Sequence, residues 1–152
     1  MKSFAGVIRC LSLIIVVLCS FQCKKEKQPL NITLYDKPLS VIQSYVNGKW
    51  DFQYAYGGIT PIKYPAKHKS YMVLQNDRII LGNDSLGVVV GTTIIWKRDK
   101  DVFNDSTYLL TYTYTAGYAF PYAYVVSRIF NDTLELIDNA SDPLYYYYVQ
   151  SH

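Results

Sequence analysis

The sequence predicts an all-β domain, an eight-stranded up-and-down antiparallel barrel preceded by one short N-terminal helix. Three observations carry that expectation. From Trp50 onward, apolar and polar residues alternate with the period of two that a half-buried strand requires. Short clusters of Gly, Asn, Asp and Pro separate the alternating runs, and these residues favour tight turns. No connecting segment is long enough to act as a crossover, and closing such a meander removes its exposed edges. A two-sheet sandwich shares the strand count and is the structural rival.

The elements follow in order along the chain. Asp36-Lys37-Pro38 reads as a helix start, with Pro near the first helical position. Leu39, Ile42, Tyr45 and Val46 recur at helical spacing, and Asn47-Gly48 ends the helix after two to three turns. Trp50, Phe52, Tyr54 and Tyr56 then alternate with Asp51, Gln53 and Ala55 as a first strand, closed by Gly57-Gly58. Residues 59–69, with Pro61, Pro65 and three lysines, read as a loop. Strands are expected over 71–74 and 78–81, joined by Gln75-Asn76-Asp77, and over 88–96, interrupted at Gly91. A charged loop over 99–105 leads to strands over 108–114 and 122–130. Asn131-Asp132 turns the chain into 133–137, and a last strand runs over 144–149.

Composition narrows the function classes. Half of the 152 residues are apolar, 18% are charged, and 16 are Tyr, which excludes a disordered chain. The net charge is +3; without Lys2 and Arg9, 13 basic residues face 12 acidic ones. A field that weak argues against a nucleic-acid partner. At the N-terminus, Lys2 and Arg9 precede an apolar run from Leu11 to Leu18, the length of a signal-peptide core and too short to span a bilayer. Ser20-Phe21-Gln22-Cys23-Lys24-Lys25-Glu26 follows. This resembles a bacterial lipoprotein signal in the relaxed form used by Bacteroidota, with Gln22 where the strict form has a small residue, and Cys19 as the second candidate. The resemblance implies a signal peptide over 1–22, lipid (including a palmitate-type acyl chain) on Cys23, a tether to residue 36, and a barrel domain over 37–152. Two or more acyl chains hold a protein stably at a membrane. Cys10 and Cys19 would leave with the leader, so no disulfide would remain and stability would come from the core.

Gly48-Lys49-Trp50 after a short helix is similar to the opening of the lipocalin (calycin) barrel. Together with Tyr54-Ala55-Tyr56-Gly57-Gly58-Ile59, Gln75-Asn76-Asp77-Arg78-Ile79-Ile80, Ile94-Ile95-Trp96, Leu134-Glu135-Leu136 and Tyr145 to Tyr148, the chain resembles the lipocalin-like lipoproteins of Bacteroidota over residues 40–150. The resemblance implies structural roles for Gly48 and Trp50, with Trp50 closing the barrel floor. It also implies a cup that binds small apolar molecules. The family's last strand often supplies an Arg over the Trp; none stands there in this chain, and Arg128 is the candidate to stack on Trp50.

Catalysis has little support. His68 and His152 are the only histidines, and no nucleophile elbow or partnered Cys occurs. No metal is expected, because zinc needs three or four suitable ligands. Asp99, Asp101, Asn104 and Asp105 gather oxygens in one loop but lack the spacing of a calcium loop, so a hairpin loop is expected. No cofactor is expected. The tyrosine stripes are the most informative feature. Their simplest role is packing. Their functional role is a pocket with apolar walls and hydroxyl donors, for which Tyr54, Trp96, Tyr112, Tyr114 and Tyr124 are the expected wall residues. The leading expectation is a lipid-anchored outer-membrane protein, periplasmic or surface-exposed, that binds a small apolar or amphipathic ligand. The alternative is a non-catalytic module whose exposed Tyr face binds an envelope protein or glycan.

Overall fold

A computed structural model describes residues 28–116 and 118–151. The expected signal peptide, Cys23 and the start of the tether lie outside them, as does His152. The chain forms β1 (Ile32–Thr33), α1 (Leu39–Val46), β2 (Gly48–Gly57), β3 (Ile62–Pro65), β4 (Ser70–Gln75), β5 (Arg78–Asn83), β6 (Gly87–Thr93), β7 (Ile95–Lys100), β8 (Ser106–Ala116), β9 (Tyr118–Phe130), β10 (Thr133–Asp138) and β11 (Leu144–Gln150). All ladders are antiparallel. One sheet runs in the order β6-β5-β4-β2-β11-β10-β9-β8-β7, with β1 added to β9 and β3 added to β2.

The all-β class is as expected, but the count and the closure differ. There are eleven strands among the described residues, and the hydrogen-bonded order is open, ending at β6 and β7. Three local causes account for this. The strand expected over 88–96 breaks at Ile94, not at Gly91, which stays in β6 opposite Ile80. Ile94 turns its side chain into the core, at 3% exposure, and its N–H donates to the Asp77 carbonyl in the β4–β5 turn. The chain therefore changes partner there: β6 pairs with β5, and β7 with β8. Second, the expected loop over 59–69 contains β3, which folds back along β2. Third, the expected tether over 23–36 is structured from residue 30. Leu30, Ile32 and Leu34 alternate as a strand does, and all three pack into the main core. The Asp132 carboxylate accepts the Leu30 N–H, and the Ser127 carbonyl accepts the Leu34 N–H.

Helix α1 begins after Pro38, whose carbonyl accepts the Val41 and Ile42 amides. It buries Ile42 and Val46, and leaves Tyr45 exposed on the other side. Gly48, at φ +141°, lets the chain pass straight from the helix into β2. Trp50 follows on the inner face at 1% exposure. The core continues through Met72, Leu74, Ile79, Leu110, Val126, Ile129, Leu134 and Leu136. Leu34, at 0% exposure, belongs to it. Leu34→Ala should therefore cost about 2–5 kcal/mol in urea unfolding. A flexible tether would give a change near zero.

Candidate functional site

The site is built on the inner face of β2 and β8 to β11. Along β11, the alternation of a strand sends Tyr146 and Tyr148 inward and Tyr147 outward. Leu134 and Leu136 on β10 point inward beside them, and Asp138 continues that row opposite Tyr124. From β8 and β9 come Tyr112, Tyr122 and Tyr124. Their rings stack in parallel, at 5.2 Å between Tyr112 and Tyr122 and 6.4 Å between Tyr122 and Tyr124. Tyr124 meets the edge of Tyr146 at 5.5 Å. Phe52 completes the wall, 5.3 Å from Tyr148 and 6.4 Å from Tyr146. Such ring pairs contribute about 0.5–1.5 kcal/mol each beyond the area they bury. In front of Phe52, Leu81, Tyr146 and Tyr148 lies a cavity of about 280 Å³, with Ser70 and Asn83 adding polar atoms to its lining. That lies just below the range for small-molecule pockets, roughly 300–1,000 Å³.

Burial sets the electrostatics of the wall. Desolvation, above all, pushes the Tyr112 phenol up to about 12. The same cause pushes Tyr124, Tyr146 and Tyr148 well above the ordinary tyrosine range. Asp138 is raised from the usual carboxylate value, again by desolvation, while the Tyr146 hydroxyl, which donates to it at 3.3 Å, works against the rise.

The expected wall residues divide. Tyr112, Tyr124 and Trp96 lie on the inner side and pack with the main core. The Trp96 Nε1 is buried with no hydrogen-bond partner among the described residues. Tyr114 sits on β8 opposite Phe120, and its side chain lies outside the described residues. Tyr54 is corrected: it faces outward. Tyr148 pairs with Phe52 and Tyr147 with Tyr54, so Gln53 is an extra, unpaired residue in β2. That bulge flips every residue beyond it to the other face. Tyr54 instead stacks on Tyr147 at 4.5 Å, with the Lys63 ammonium 4.0 Å over its ring. Arg128 is corrected as well. It lies on the outer face of β9 and forms an ion pair with Glu135 at 2.9 Å, away from Trp50. The Trp50 Nε1 donates to the Val46 carbonyl at 2.7 Å, which ties the floor of the sheet to the end of α1.

Sequence reasoning missed Phe52, Tyr146, Tyr148 and Asp138 as wall residues. The signal for the last three was the alternation along β10 and β11; for Phe52 it was the alternation with Trp50, which places both on one face ahead of the bulge. The acidic loop proves to be a latch. Asp101, 7% exposed, accepts the Phe103 and Asp105 amides and the Tyr35 hydroxyl. A second, larger groove of about 580 Å³ runs past Lys49, Lys67, His68 and Lys69, with Asp51 and Asp84 offsetting their charge. Among the described residues no group of three or more His, Cys, Asp or Glu is placed to hold a metal ion, and no helix is long and apolar enough to cross a membrane.

Comparison with family models, with curated proteins and with solved structures finds no match for this chain.

Proposed function

We propose that this protein is a lipid-anchored, lipocalin-like carrier or sensor of the outer membrane, which binds one small amphipathic molecule in the tyrosine-walled cup and performs no catalysis. The observation that carries the reading is the cavity in front of Phe52, Leu81, Tyr146 and Tyr148, with the stacked Tyr112, Tyr122 and Tyr124 on the same face. The strand order supports it. β6 and β7 are consecutive, separated only by Ile94. If they are taken as two halves of one bent strand and the additions β1 and β3 are set aside, eight strands remain, and each pairs with its neighbours in sequence while β11 returns to β2. That is the connectivity of an up-and-down barrel. Cys23 would carry the anchor, and the polar residues from Lys24 to Gln28 would separate it from the domain.

Native mass spectrometry tests this on protein extracted from its own cell envelope. The expected result is a chain starting at Cys23 with acyl mass attached, and a further mass that leaves on denaturation. A chain that holds nothing, even after incubation with an envelope-lipid extract, would overturn the carrier reading.

One observation favours a second reading. Tyr56 stands 44% exposed on the outside of β2, next to the Tyr54–Tyr147 stack, with Lys63 of β3 on the same face. Such a face suits stacking on a glycan or on a partner protein.

A further inference from the structure

We infer that the ligand of the cup carries a basic nitrogen: the cup selects an amphipathic ammonium over the matching alcohol, and excludes the matching carboxylate. This rests on the carrier reading and names the ligand class of the same site.

The argument begins with charge. The cavity is lined by Phe52, Tyr71, Leu81, Tyr146 and Tyr148, with Ser70, Gly82 and Asn83, and no Lys, Arg or His stands in its lining, the nearest cation among the described residues being Lys49 against the Tyr71 ring. The one ionisable acid on the inner face beside it is Asp138, at the end of the inward row that contains Leu134 and Leu136. Among the described residues, a single hydrogen bond reaches this carboxylate, from the Tyr146 hydroxyl at 3.3 Å, and no cation pairs with it. A half-buried carboxylate with one long hydrogen bond lacks the partners that buried charge requires.

The second step is the direction of the hydroxyls. Tyr146 lines the cavity and gives its proton to Asp138, so its oxygen presents lone pairs. The negative charge of Asp138 reaches Tyr112 and Tyr148 as well as Tyr146. The polar end of the cup is therefore acceptor-rich and negative. The third step is the aromatic surface. The stacked rings of Tyr112, Tyr122 and Tyr124 lie beside the acid, and ring faces attract cations, by about 2 kcal/mol or more when water is excluded. Asp138 and these rings stand behind the cavity lining, connected to it through Tyr146, so a ligand carboxylate would be repelled by like charge there and an ammonium attracted.

The test uses three probes of nearly equal size: phenylbutylamine, phenylbutanol and phenylbutyrate. Each is titrated calorimetrically into the full protein at about pH 8, above the ordinary Asp value of about 3.9 and below the ordinary alkylammonium value of about 10.4. The amine should bind at least about tenfold tighter than the alcohol, the step that a single favourable charge contact supplies, and the carboxylate should bind weakest. Asp138→Asn should bring the amine down to the affinity that the alcohol shows on the same variant. The variant should fold, because burial already disfavours the Asp138 charge in the folded state. Tyr146→Phe gives a second readout, with a smaller loss for the amine. Alcohol and carboxylate binding as tightly as the amine, or an amine preference that survives Asp138→Asn, would overturn this inference and leave the carrier reading standing. If none of the three probes binds, the carrier reading falls, and this inference falls with it.

Discussion

Trp50→Ala should destabilise the protein by about 3–5 kcal/mol, the cost of deleting a large buried aromatic side chain. Trp50 is 1% exposed and is the largest of the fully buried side chains. It joins the sheet to the helix: its side chain belongs to the core cluster that holds Met72, Leu74 and Leu134, and the Nε1 donates to the Val46 carbonyl at the end of α1. Removing it opens a cavity and leaves that carbonyl without its partner. Trp50→Phe separates the two effects, since it keeps most of the ring and loses only the hydrogen bond, at about 1–3 kcal/mol. Urea unfolding of the three proteins is the measurement. If Trp50→Ala changed the midpoint no more than a surface substitution does, the floor assignment would be wrong.

The protein should also lose stability steeply above about pH 10. An unfolded tyrosine ionises near 10, whereas burial holds the folded Tyr112 phenol up to about 12 and raises Tyr124, Tyr146 and Tyr148 in the same direction. Below pH 10 both states keep these protons, and the stabilisation is fully present. Above it the unfolded chain releases protons that the folded chain retains, so unfolding is favoured as pH rises. Each such phenol contributes about 1.4 kcal/mol per pH unit, so Tyr112 alone removes roughly 3 kcal/mol by about pH 12. Denaturant midpoints measured from about pH 8 to 12, together with phenolate absorbance, check this. The midpoint should stay level and then fall, and the last phenolates should appear in step with unfolding. If every tyrosine ionised near pH 10 in a chain that stayed folded, the inner-face ring cluster would not exist.

These two results probe opposite ends of one core, and the two ends were unequally legible. Trp50 sits next to Gly48 and α1 in sequence, so its burial follows from local pattern. The ring cluster draws on β2, β8, β9, β10 and β11, and its composition depends on register. Tyr124 and Tyr112 were readable from alternation within their strands. Tyr54 was misassigned because the bulge at Gln53 shifts the pleat by a residue, and a bulge is a property of two paired strands; Phe52 precedes the bulge and keeps the face of Trp50. Arg128 was misread similarly, because its face is set by the irregular pairing of β9 with β10, where the register shifts between Glu135 and Leu136.

The residues themselves determined the short helix, the antiparallel meander and the positions of its eight expected segments. Each of those rests on interactions between neighbours in the chain: alternation, helical spacing, and turn residues at each reversal. Only the tertiary structure decided where the long strand breaks, since Ile94 gives its amide to a turn seventeen residues earlier. It also decided that Leu30, Ile32 and Leu34 pack into the core, because the Leu34 amide is held by the Ser127 carbonyl, far along the chain. Which tyrosines face inward, and that Asp138 joins them, was settled by register across strands that the chain brings together only on folding.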